Sequence, residues 1–293
     1  MHGNRLVMAC ADRLFVFDAG WSLVDELAHP LMADVHDVLA DERGVWVAAT
    51  GCDTLLLLGW DGVLLHSWPL RENGLLMEAL GFPGRWLPPI DPAFDYRDPR
   101  IRANTFDALH LNGLAPAPDG DGVLLSLGRV TTREEDVGRS GSSVLALFGD
   151  GEASILLRRE GVAVPNHNVG VEGDLLLYND SNRHCLVVCD LPNGTELRTV
   201  PIAGDPPFVR GLARIEPEFW LVGSQAPLAL YAVDILHGKR LEAFELGGVE
   251  HEAVYAICPL PDTFSDPQSP VGADPYAFWK RAALGPGVTP IPI

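Results

Sequence analysis

Residues 36–70 read HDVLADERGVWVAATGCDTLLLLGWDGVLLHSWPL. A leading segment, 36–40, is followed by VWVAAT (45–50). TLLLLG (54–59) comes after the turn GCD, and VLLHSWPL (63–70) after the turn DG. Short apolar runs broken by Gly, Asp and Asn turns, with almost no helical periodicity, are the pattern of an all-β chain. The same four-part unit returns along the sequence. One copy runs HNVGV, DLLLYN (174–179), HCLVVCDL (184–191) and TELRTVPI (195–202). Another runs VRGLARI, EFWLVGS (218–224), PLALYAVDI (227–235) and KRLEAFEL (239–246). A looser copy runs HLNGLAPA, GVLLSLG (122–128), SSVLALFG (142–149) and EASILLRR (152–159). The copies that open at HNVGV and VRGLARI begin about 40 residues apart, the length of one propeller blade.

The last unit is incomplete, because HEAVYAICPLP (251–261) has no partners after it. Three unpartnered strands stand at the other end: RLVMAC (5–10), RLFVFD (13–18) and SLVDELA (22–28). Pairing the C-terminal strand with these three closes a ring and removes its free edges. The sequence therefore predicts an all-β, five-bladed β-propeller over 1–261. Residues 71–104, rich in Pro and Arg and without alternation, read as an insertion between blades, with a short helix near 75–81. Residues 262–293 read as a Pro-rich outer strap.

The leading segments carry the chemistry. Aligned, they place His36, His110, His167, Arg210 and His251 at one position of the repeat. The first strand of each blade lines the central channel, so a narrow five-bladed ring draws these side chains to one mouth. Neutral imidazole ligates Zn, Fe, Cu and Ni. The expected centre is one divalent transition metal, Fe or Zn, on His36, His110, His167 and His251. Arg210, the fifth spoke, holds anions in a fork and suits an anionic group on a small-molecule substrate. Glu252 is the candidate acid/base. Asp37, turned to the blade interface by strand alternation, is a candidate to orient an imidazole, with Asn112, Asn166 and Asn168 as further donors. The bland reading of each is strand-end or channel hydrogen bonding, except for Arg210, where it is an ion pair with Glu252 or Asp37. The insertion carries Arg97, Arg100 and Arg102 with Tyr96 and Trp86, a basic-aromatic group read as a lid that recruits substrate, or as an outer strap.

Composition bounds the partners. The chain holds 21 Lys and Arg against 40 Asp and Glu, a net charge of −19. That field repels phosphate backbones and argues against nucleic acid. No apolar run reaches the ~18 residues that cross a bilayer, and no signal peptide is read at the start, so no membrane partner is expected. Five cysteines without CxxC spacing read as buried free thiols of a cytoplasmic protein.

The repeat resembles the NHL and TolB-like propeller superfamilies over roughly residues 1–261. The placing of His36, His110, His167 and His251 resembles two enzyme families built on propellers. These are peptidylglycine amidating lyase, with zinc on rim histidines, and the carotenoid cleavage oxygenases, with ferrous iron on four. The blade count departs from both, so neither substrate nor reaction carries over. Five-bladed glycosidases carry carboxylates where this chain has histidines. The expectation is a metal-dependent enzyme acting on a small molecule, a lyase or hydrolase with zinc or an oxygenase with iron. The alternative is a non-enzymatic scaffold or ligand binder whose channel histidines are structural.

Overall fold

The continuous apolar runs become the middle strands of five sheets in the computed structural model. It describes residues 1–81, 87–101, 105–118, 120, 122–131, 142–149, 151–160, 166–202, 208–225, 227–246, 253–261 and 263–264. The N-terminal blade holds β1 (Arg5–Cys10), β2 (Arg13–Asp18) and β3 (Leu23–Leu27). Blade one holds β4 (Val35–Ala40), β5 (Gly44–Ala49), β6 (Thr54–Gly59) and β7 (Leu64–Pro69). After the helix α1 (Gly74–Ala79) comes blade two, with β8 (Leu111–Pro116), β9 (Gly122–Leu127), β10 (Ser142–Gly149) and β11 (Glu152–Glu160). Blade three holds β12 (Asn166–Glu172), β13 (Leu175–Asp180), β14 (Cys185–Asp190) and β15 (Thr195–Pro201). Blade four holds β16 (Val209–Arg214), β17 (Phe219–Ser224), β18 (Ala229–Asp234) and β19 (Lys239–Glu245). Every sheet is an antiparallel meander in chain order, and the five form a five-bladed β-propeller.

Burial explains why the runs do not alternate. Every residue of β5 and β6 is buried, since both faces of a middle strand lie against neighbouring blades. Four apolar clusters fill the junctions. They join the N-terminal blade to one, one to two, two to three, and three to four. Two glycine pairs let strands close up. Gly44 and Gly122 open β5 and β9 opposite Gly59 and Gly149. A Cβ would lie 1.9 Å from the Leu58 carbonyl oxygen at the first and 2.1 Å from that of Phe148 at the second.

The inner strands are laced to one another by side chains. Asp37 accepts the Leu114 N–H at 2.9 Å, joining β4 to β8. Ser126 donates to the Asn166 carbonyl at 3.3 Å, joining blades two and three. Asn168 accepts the Gly211 N–H at 2.8 Å, joining β12 to β16. Buried backbone groups at the strand ends are satisfied in this way, and the bonds fix how the blades are rotated about the axis.

The closing pairing takes a form the repeat did not predict. Among the described residues the N-terminal sheet has three strands, and 253–261 is extended without ladder bonds to β1. Instead the Val254 N–H donates to the Ser224 carbonyl at 3.3 Å. Val254 and Ile257 pack on the open faces of Gly211 and Gly223. The segment thus follows blade four before Phe264 meets Trp21 of the N-terminal blade, ring centroids 5.9 Å apart. Pro259 and Pro261 lack the N–H that a ladder needs.

The described parts of the insertion pack onto the blades. Leu76 and Leu80 of the α1 region enter the core between blades one and two. Arg71 forms a buried ion pair with Asp53 at 2.9 Å and donates to the Pro88 carbonyl. Residues 265–293, within the stretch read as a strap, lie outside the described residues, as do 262, 82–86 and 102–104. No helix among the described residues is long and apolar enough to cross a membrane. Cys52, Cys185 and Cys189 are buried free thiols, Cys10 is half-buried and Cys258 is exposed.

Candidate functional site

Every inner strand carries a β-bulge near its start. The register skips one residue between Val35 and Asp37, Leu111 and Gly113, His167 and Val169, and Arg210 and Leu212. The unpaired residues are His36, Asn112, Asn168 and Gly211. A bulge re-aims neighbouring side chains and recurs next to functional sites. It also corrects the sequence alignment. His167 and Arg210 do share a position, one before the bulge. His36 is the bulged residue itself, and His110 lies two before Asn112. The apparent common position of the four therefore resolves into three.

They still meet at one end of the channel. The His36 and His110 rings touch edge to face, centroids 4.9 Å apart. His167 is buried to 2 % exposure. Its pKa is held well below the ordinary histidine value, first by burial and then by the neighbouring charges of Arg210, His110 and His36. It is accordingly a neutral imidazole at neutral pH.

Hydrogen bonding fixes the tautomers. His167 Nδ1 lies 2.6 Å from the Ser181 hydroxyl, which itself lies 2.7 Å from the Val209 carbonyl. The hydroxyl has one proton and gives it to the carbonyl, so it accepts Nδ1–H from the ring. His167 Nε2 is then a bare lone pair, buried and without a partner among the described residues. His110 Nδ1 lies 2.7 Å from Asp107, which also accepts the His110 backbone N–H at 2.7 Å and pairs with Arg129 at 2.6 Å. His110 therefore donates from Nδ1 and leaves Nε2 as its lone pair. Its backbone is left-handed, φ 52°. His36 is held the other way round: Nε2 faces Asp34 at 3.4 Å, and Nδ1 is buried without a partner among the described residues. His36 pulls the Asp34 carboxyl below the usual range, aided by His110 and Arg210.

Arg210 Cζ lies 4.7 Å from the Phe208 ring centroid and 4.5 Å from that of Tyr255. Its Nε is buried without a hydrogen-bond partner among the described residues. Phe208 also meets the His167 ring edge to face at 4.8 Å. The channel mouth thus holds three imidazoles, one carboxylate and one guanidinium walled by aromatics.

Other expected residues fall elsewhere. Asp37 does turn into the blade interface, but its oxygens take the Val38 and Leu114 N–H groups rather than an imidazole. Burial raises its pKa to about 6. Asn168 laces blades three and four, Asn166 accepts from Arg159, and both polar side-chain atoms of Asn112 are buried without partners. Tyr96 is core, not a substrate wall: it packs with the apolar cluster of the N-terminal blade and blade one, and its hydroxyl accepts the Asp91 N–H. Arg97 and Arg100 are each clamped on a carboxylate two residues earlier, Asp95 and Asp98. Local turns that the sequence writes as D-x-R absorb their charge. His251, Glu252, Arg102 and Trp86 lie outside the described residues.

Sequence reading missed Asp34, Asp107, Ser181, Phe208 and Tyr255. Asp107 had a signal, the spacing D-x-x-H. The same spacing recurs at Asp234 and His237, where it caps an exposed turn. Burial and Arg129 distinguish the rim copy, and neither shows in a single sequence.

The donor chemistry suits a divalent transition metal, because two imidazoles present bare Nε2 atoms while their other nitrogen is fixed by a protein acceptor. Among the described residues, no three His, Cys, Asp or Glu side chains gather closely enough to hold an ion. In comparisons with known proteins, no family model matches the chain and no curated protein matches it.

Proposed function

We propose that the channel mouth is the active site of a metal-dependent enzyme acting on a small molecule with an anionic group. His110, His167 and His36 would hold the ion, with His251 completing the set. The observation that carries this reading is the buried Nε2 of His167, a lone pair with no hydrogen-bond partner among the described residues. Burying such a group costs about 1–3 kcal/mol unless a partner arrives. Bound zinc would polarise a carbonyl or activate water, and ferrous iron would support oxygen chemistry. Asp107 and Ser181 hold two rings in the ligating tautomer. Arg210 takes the anionic group, and Glu252 is the acid/base. The NHL or TolB-like resemblance supports a rim site only in a general way.

The test is titration of untagged protein with Zn(II), and with Fe(II) under anaerobic conditions. We expect one equivalent bound, with His110→Ala and His167→Ala each abolishing it while the fold persists. Failure to bind either ion would reject the metal. A second reading, a metal-free binding protein for a small anion, is favoured by the absence of a three-ligand grouping among the described residues. Retained anion binding without metal would establish it.

A further inference from the structure

We infer that Arg210 is the clamp for a carboxylate, so that the ligand of this site is a small, flat carboxylic acid. The inference rests on the rim being a ligand site, but not on its holding a metal.

Three other half-buried or buried arginines are matched by carboxylates, Arg71 by Asp53, Arg129 by Asp107 and Arg159 by Asp180, and half-buried Arg198 donates instead to the Ile235 and Leu236 carbonyls. In a chain with 40 acidic residues, a guanidinium carried into the channel mouth would ordinarily bring its own carboxylate. Arg210 forms no ion pair among the described residues. Asp34, the carboxylate whose field reaches it, is turned to His36. Asp37 is consumed by two backbone N–H groups.

Arg210 has aromatic surface in place of a counter-ion. Its Cζ stands over both Phe208 and Tyr255. Cation–π contact stabilises the charge and holds the side chain in one pose, but gives the N–H groups nothing to donate to. The guanidinium fork matches a carboxylate in plane through two parallel hydrogen bonds. Aromatic walls admit a flat oxyanion lying in that plane. A tetrahedral phosphate or sulfate would push oxygens against ring faces. Tyr255 is 59 % exposed, so the slot is open to solvent on its side.

The experiment uses the full chain, with and without added Zn(II). Benzoate, acetate and succinate are titrated by calorimetry, with inorganic phosphate and benzamide as controls. We expect at least one carboxylate to bind one to one at about 1 mM or tighter, and both controls to bind at least about tenfold more weakly. Arg210→Lys keeps the cation and the stem but loses the fork, and should weaken binding about tenfold or more. Tyr255→Leu should weaken it with Arg210 intact, and guards against an Arg210 variant that misfolds. Carboxylate binding that survives without metal and needs Arg210 supports the clamp even if the metal is rejected. Metal binding without Arg210-dependent carboxylate binding overturns the clamp alone. Phosphate binding as tightly as the carboxylates also overturns it. So does carboxylate binding that emerges only in Glu252→Gln, which would assign the fork to this chain's own side chain.

Discussion

At the residue scale, what sets the rim apart is how its imidazoles are held. His110 is fixed through Asp107, whose carboxylate is buried and shared with Arg129. Removing that charge takes a carboxylate partner from the half-buried Arg129 guanidinium and frees the ring. Asp107→Ala should therefore destabilise the fold by about 3–5 kcal/mol, read by urea denaturation. Ser181→Ala should cost less, about 1–3 kcal/mol, because it strands one N–H and one carbonyl without any charge. Equal costs would mean that the Asp107–Arg129 pair is not the buried unit described here. The thiols give a separate check. Burial raises Cys52 to about 12 and Cys185 and Cys189 to about 11, whereas Cys258 is exposed. Since the thiolate is the reactive form, native-state alkylation at pH 7.5 should label Cys258 and spare those three. Mass spectrometry of the labelled protein checks it.

At the scale of elements, the strands were legible and their starts were not. Runs such as TLLLLG and DLLLYN declare themselves because middle strands are buried on both faces. The bulges left no mark in the residue pattern, which is why His36, His110 and His167 lined up on paper and stagger in space. The insertion was legible as a departure from the repeat, and its helix near 75–81 is present at Gly74–Ala79. Its packing was not legible, because Leu76 and Leu80 look alike in a lid and in a wedge. The structure makes α1 a wedge between blades one and two. Leu76→Ala should accordingly cost about 2–5 kcal/mol, as a core truncation does. A cost near zero in thermal denaturation would restore the lid.

At the scale of the whole molecule, the ring is held by laces between inner strands and by a C-terminal segment that bridges blade four to the N-terminal blade. The count of five blades follows from the sequence because the repeat is regular. The manner of closure does not, since prolines at 259 and 261 deny the last segment a full ladder. Phe264, 8 % exposed against Trp21, is the far anchor of the bridge. Phe264→Ala should lower stability by about 3 kcal/mol, and a cost below about 0.5 kcal/mol in denaturation would remove the bridge from the account. The ring brings imidazoles from separate blades to one mouth, and the proposed metal site rests on that convergence. The most direct test is anomalous diffraction at the zinc and iron edges from crystals grown with each metal. The account expects a single peak about 2.0–2.2 Å from nitrogens of His110, His167 and at least one of His36 and His251. Crystals that show no peak there, with His167 Nε2 bonded only to water or protein, would contradict it.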